Sequence, residues 1–112
     1  GDGVYDLMVR TMLLTRGDLQ AAGLHRKTTE IVCAPAQAAA AEKLLPVLTE
    51  AESAIYRRGR NANVHSIPKN ATHAQYSRAT GLETLFGALW LLGRRQRLEE
   101  LFALILEEDY AP

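Results

Sequence analysis

Apolar positions along this chain recur every three to four residues, and no segment alternates residue by residue. That period predicts helices and no sheet, an all-α domain. Residues 1–14 read as a first helix, with Val4, Leu7 and Met8 on one face and Tyr5, Val9 and Leu13 beside them. Arg16-Gly17-Asp18 closes it, with Gly17 as the C-terminal cap. Residues 23–32 read as a second helix. Pro35 suits the first position of a third, over 35–48, with Ala38, Ala41, Leu44, Leu45 and Leu48 inward and Pro46 kinking or stopping it. Thr49-Glu50-Ala51-Glu52 has the spacing of a capping box and opens a helix over 50–58, with Ala51, Ala54 and Ile55 inward. Thr72-His73-Ala74-Gln75 repeats the signal and opens a long helix that Gly93 ends. Residues 94–108 form the last, with Leu98, Leu101, Phe102, Ile105 and Leu106 inward. Between them, residues 59–70 lack apolar periodicity and hold Gly59, Asn61, Asn63, Pro68 and Asn70. That is a loop long enough to carry function.

The long helix is the one the others are organised around. Leu82, Leu85, Leu89 and Leu92 make one stripe, and Tyr76, Phe86 and Trp90 widen it. Glu83 falls between these faces. A buried ionised carboxylate is costly unless paired, hydrogen-bonded or bound to a metal. On this stretch alone, an edge-of-stripe acid that is solvated or paired with an arginine is the commoner reading.

Composition adds three constraints. At 112 residues the chain is one domain, able to bury a single core. No apolar run is long enough to span a membrane, and no signal-peptide pattern opens the chain. Cys33 is the only cysteine, so no intrachain disulfide forms, and it reads as a small buried hydrophobe. Net charge is zero, from 13 basic and 13 acidic residues, but the average hides a pattern. Residues 53–82 hold no Asp or Glu, yet carry Arg57, Arg58, Arg60, Lys69, Arg78, His65 and His73. A local basic patch is a footprint for a polyanion; a solvated loop is the plainer explanation. His25, Arg26 and Lys27 put cations in a helix's first turn, against its dipole, which points to a surface role or to simple solvation.

Several blocks in order carry a family resemblance: Gly1-Asp2-Gly3-Val4-Tyr5, Leu24-His25-Arg26-Lys27, 31–38 (IVCAPAQA), 57–62 (RRGRNA), Pro68-Lys69-Asn70 and 80–87 (TGLETLFG). Together they resemble Mini-ribonuclease III, the short relative of ribonuclease III without a double-stranded-RNA-binding domain. The resemblance spans nearly the whole chain, and the RRGRNA and PKN blocks are its specific parts. It implies a ribonuclease III-like helical endonuclease domain over 1–112, with the family's first helix lying upstream of Gly1. It implies an endoribonuclease that cuts double-stranded RNA with magnesium and matures large-subunit (23S-type) ribosomal RNA precursor. A homodimer is implied, each subunit cutting one strand, in a bacterial cytoplasm or a chloroplast stroma.

Residue by residue, Asp2 matches the family's catalytic Asp in its G-D motif, and Glu83 its catalytic Glu; both would hold Mg2+. Magnesium takes one or two carboxylates and completes its shell from water and phosphates. Larger relatives carry an Asp three residues before that Glu, where this chain has Thr80, a substitution that looks normal in the Mini class. Arg57, Arg58, Arg60, Asn61, Lys69 and Asn70, with His25 and Lys27 as lesser candidates, would grip RNA through phosphates and 2′-hydroxyls. Two other readings compete: a non-catalytic RNA-binding or ribosome-associated helical protein, and a plain helical dimerisation module. The apolar excess around Phe86 and Trp90 gives modest support for dimerisation, since core packing explains most of it.

Overall fold

The structure is a computed structural model and describes residues 2–15, 23, 29–62 and 71–106. The helices are α1 (Asp2–Thr15), α2 (Ala34–Leu44), α3 (Glu50–Arg60), α4 (His73–Leu91) and α5 (Arg95–Leu106). A short helical stretch over 29–32 precedes α2, and a 3-10 turn, Leu45–Val47, follows it. No strand occurs among the described residues, as the uniform period predicts.

Helix α4 is the hub: α1, α2, α3 and α5 all pack on it. Its buried residues Ser77, Ala79, Gly81, Leu82, Leu85, Phe86, Gly87 and Leu89 go right round the helix. A helix apolar on all sides belongs in the interior. Three rings knit α1 and α5 to it. Tyr5 meets Phe86 edge-on at 5.2 Å between centroids, and Phe102 lies 6.0 Å from Tyr5 and 6.4 Å from Phe86. All five residues read as inward on the last helix are buried.

The ends of the helices follow local rules. At α3 the Thr49 hydroxyl accepts from the Glu52 N–H at 3.1 Å, and the Thr49 N–H donates to Glu52 Oε1 at 2.9 Å. Thr72 and Gln75 repeat this at α4, at 3.0 Å each way. Both capping boxes therefore form as the spacing predicts. Gly93, at φ 73°, turns the chain after α4. Its N–H donates to the Trp90 carbonyl (3.1 Å) and the Arg94 N–H to the Leu89 carbonyl (2.9 Å), the Schellman pattern.

Four expectations need correcting. Helix α2 ends at Leu44 and not at 48; Pro46 stops it, as expected, because proline removes a helical donor and crowds the residue before it. Leu45 is consequently exposed. Helix α3 runs on through Gly59 to Arg60 instead of yielding to loop at Gly59. Its inner face is Glu52, Tyr56 and Gly59, whereas Ala51 and Ala54 are exposed. Leu92 leaves the stripe because it caps α4, and is 65% exposed.

Glu52 faces inward because Arg97 of α5 meets it there. Arg97 Nε donates to Glu52 Oε2 and Nη2 to Oε1, both at 2.8 Å, and Nη2 also reaches the Val47 carbonyl at 2.8 Å. This forked, charge-assisted contact ties the last helix to the N-terminus of α3.

Candidate active site

Glu83 lies halfway along α4, half-buried, one turn before Phe86. Asp2 is the first residue of α1, one turn before Tyr5; its side chain lies outside the described part. Tyr5 packs on Phe86. Further along α1, Leu7, Met8 and Thr11 share a groove of about 500 Å³ with Trp90, further along α4. The two helices thus advance in the same sense. Positions 2 and 83, each one turn before the Tyr5–Phe86 contact, fall at the same end of the crossing.

Between the helices stands the Tyr5 phenol. The residue is 1% exposed, and its hydroxyl has no hydrogen-bond partner among the described residues. Burial pushes the phenol above its ordinary range, and the charges of Glu83 and then Cys33 push it the same way. Cys33 is exposed, not buried as its residue type suggests. It precedes α2 in extended conformation, and its thiol donates to the Glu30 carbonyl at 3.3 Å.

The basic end of α3 reaches the same region through a close crossing. A side-chain carbon on Gly59 would lie 2.6 Å from Thr84 Cβ, so the α3 backbone touches α4 beside Glu83. Arg57 and Arg58 are exposed in the last turn of α3, where cations also suit the helix dipole. Arg60 is half-buried. Its guanidinium stacks 5.9 Å from the Tyr56 ring centre, and its Nε donates to Asn61 Oδ1 at 3.4 Å. Asn61 caps the helix and is exposed. Arg78 is paired with Glu42 at 3.1 Å, which tempers the basic patch. Lys69, Asn70, His25, Lys27 and His65 lie outside the described residues.

Thr80, in the place of the larger relatives' acid, donates its hydroxyl to the Tyr76 carbonyl at 2.9 Å. Thr84 does likewise to the Thr80 carbonyl at 2.7 Å. Both hydroxyls are directed to their own helix. Among the described residues, no group of three or more His, Cys, Asp or Glu could hold a metal ion.

Sequence reasoning missed two features of this site. One is Tyr5, which its apolar neighbours made look like plain core. The other is the Gly59–Gly81 crossing. Its signal was available: a glycine inside a helical pattern commonly has a packing reason.

The ribonuclease III domain family matches residues 1–94. The Mini-ribonuclease 3 of Symbiobacterium thermophilum is 46% identical over 101 residues, covering 90% of this chain and 78% of the relative. That of Enterococcus faecalis is 43% identical over 103 residues, covering 90% and 78%. The Synechocystis Mini-ribonuclease 3 is 43% identical over 112 residues, covering 100% and 76%. The fold superposes on a crystal structure of a Fusobacterium nucleatum protein with a TM-score of 0.87 at 25% identity, covering 96% of this chain and 83% of that one.

Proposed function

The chain belongs to the ribonuclease III family, in its Mini-ribonuclease 3 branch, and from that premise we propose that Asp2 and Glu83 form one magnesium site that cuts double-stranded RNA. It is an endoribonuclease, of a metal-dependent family that acts on double-stranded RNA. The observation that carries the site assignment is the shared end of the α1–α4 crossing. It sets position 2 of one helix and Glu83 of another beside one contact, Tyr5 on Phe86.

The donor chemistry fits a hard cation. Asp2 and Glu83 offer carboxylate oxygens only, and magnesium takes one or two such groups with water and phosphate for the rest. When bound, the cation supplies an activated water and offsets charge on the phosphate. The chain's own residues do the holding. Glu83 is carried on α4, the helix on which α1, α2, α3 and α5 all pack. Arg57, Arg58, Arg60 and Asn61, with Lys69, Asn70, His25 and Lys27, neutralise phosphates and donate to 2′-hydroxyls across the minor groove. Gly59 and Gly81 let the end of α3 that carries Arg57, Arg58 and Arg60 lie against α4 beside Glu83, so RNA gripped by these arginines is presented to that carboxylate.

The biological duplex in this reading is large-subunit ribosomal RNA precursor, in a bacterial cytoplasm or a chloroplast stroma. The working unit is a homodimer, each subunit cutting one strand. Support for dimerisation comes from the apolar groups left at the surface where α4 ends: Trp90, Leu91 and Leu92 are 40%, 86% and 65% exposed, with Leu7 nearby at 54%. The deciding experiment is incubation with double-stranded RNA, with and without magnesium, for parent and Glu83→Gln. Cleavage that needs magnesium in the parent and disappears in the variant supports the assignment; equal cleavage by both overturns it.

A further inference from the structure

The Tyr5 hydroxyl is the polar group this fold leaves least explained. It is buried in a core where its ring is well packed, and it has no hydrogen-bond partner among the described residues. A buried polar group without a partner costs about 1–3 kcal/mol. Phenylalanine would fill the same space without that cost. The ring position is fixed from two sides, by Phe86 at 5.2 Å and Phe102 at 6.0 Å, so the hydroxyl cannot swing out to solvent. The Glu83 carboxylate is among the charges that act on it, and positions 2 and 83 lie one helical turn before the Tyr5–Phe86 contact on their own helices.

We propose that Tyr5 is a positioning residue of the carboxylate site, whose hydroxyl donates a hydrogen bond to Glu83 when the site holds a divalent cation. This rests on the assignment of Asp2 and Glu83 above. A carboxylate has room for several partners, about four lone-pair sites, so one oxygen serves the cation while the other accepts from Tyr5. The phenol suits the role for three reasons. A phenol carries its proton throughout the neutral range, since it ordinarily titrates at about 10. Its ring cannot move, so the oxygen it holds cannot either. It lies one helical turn from Asp2 on α1, so one helix carries both a ligand and the group that orients the ligand opposite. Residues that hydrogen-bond a ligating carboxylate fix its orientation, and losing one weakens metal affinity or activity by about 10–100-fold.

Tyr5→Phe isolates the hydroxyl. The variant should unfold at the parent temperature or above, because it removes an unsatisfied group and keeps the ring. Its affinity for Mn2+, measured by titration of the RNA-free protein, should fall by about tenfold or more. Parent-like Mn2+ affinity in Tyr5→Phe overturns the proposal. A second measurement holds even if the variant fails to fold. The ring-carbon NMR signal of Tyr5 in the parent, read at the carbon bearing the hydroxyl, should move as Mg2+ is added, and an unmoved signal overturns the proposal. Glu83→Gln separates the two levels. If it binds Mn2+ as the parent does, the site assignment itself has failed. If it loses binding while Tyr5→Phe keeps it, only the role of Tyr5 has failed.

Discussion

Gly59 and Gly81 face each other where α3 crosses α4. A side-chain carbon on Gly59 would stand 2.9 Å from the Gly81 Cα, and one on Gly81 would stand 2.8 Å from the Tyr56 carbonyl oxygen. Neither contact leaves room for a methyl group, and a side chain on Gly59 would meet the short β-branched Thr84 and the Gly81 backbone, neither of which can swing away. Glycine here serves helix–helix distance, not a turn. The consequence is spacing: the crossing sets how close the basic last turn of α3 lies to α4 beside Glu83.

Gly59→Ala should therefore destabilise the protein. In an open helix the same change would stabilise by about 1 kcal/mol. Overpacking a tight contact costs about 1–3 kcal/mol, so the sign reverses. A melting temperature lower by about 4 °C or more is expected. Thermal unfolding followed by circular dichroism checks it, and a higher melting temperature would show that the crossing has slack.

Arg57→Ala, Arg58→Ala, Arg60→Ala and Lys69→Ala should each weaken binding to all RNA duplexes alike. Each should also lower the salt dependence of affinity by about one phosphate contact. Arg60 should cost most in stability as well, since its guanidinium covers the Tyr56 ring. Binding titrations at two or more salt concentrations test this; unchanged affinity and slope in all four variants would refute the RNA contact.

Glu83→Gln keeps the side chain's shape and removes its charge. Cleavage should drop by orders of magnitude, because offsetting charge at the phosphate is the main catalytic term. Asp2→Asn should do the same, and the double variant should be no worse than the poorer single one, since both act on one unit. Single-turnover rates decide this. Loss of fold in Glu83→Gln would instead make Glu83 a structural acid.

Glu52 and Arg97 give the stability a pH dependence. The Arg97 guanidinium hydrogen-bonds the Glu52 carboxylate and holds it below its ordinary 4.5. A carboxyl lowered on folding stabilises the protein above its unfolded value, and that contribution is lost as pH falls through the folded value. Arg97→Ala should cost about 3 kcal/mol at pH 7, the low end for a broken buried pair because Arg97 is a quarter exposed. The gap between parent and variant should narrow from about pH 5 to about pH 3. Urea unfolding across that range measures it; a constant gap would show that packing, not charge, holds the contact.

In solution the chain should run at twice its 12.3 kDa mass at micromolar concentration. Leu91→Glu changes a side chain that is 86% exposed, so it should leave the subunit's fold alone. It should nonetheless shift the protein toward monomer. Light scattering on both proteins checks this, and a monomeric parent would remove the dimer from the proposed function.

Local rules made much of this protein legible from sequence. Thr49 with Glu52, Thr72 with Gln75, and Gly93 at the end of α4 are decided within four residues, by hydrogen bonds a helix end must make with its own neighbours. The inward face of α5 follows from helical period alone. The pairing of Asp2 with Glu83 as candidates came from matching motifs 81 residues apart, and nothing in periodicity would have joined them. Contacts between helices needed the tertiary structure. Periodicity says that a helix has an apolar face, but not what meets it. Glu52 became an inward residue only because Arg97, 45 residues away, reaches it; Ala51 and Ala54, the better apolar candidates, were left outside. Gly59 read as a loop residue because the helix propensity of glycine is poor, and only the approach of Gly81 shows why a helix tolerates it. Trp90 read as core by residue type, yet 40% of it stays at the surface, because α4 ends one residue later and no described helix covers that end.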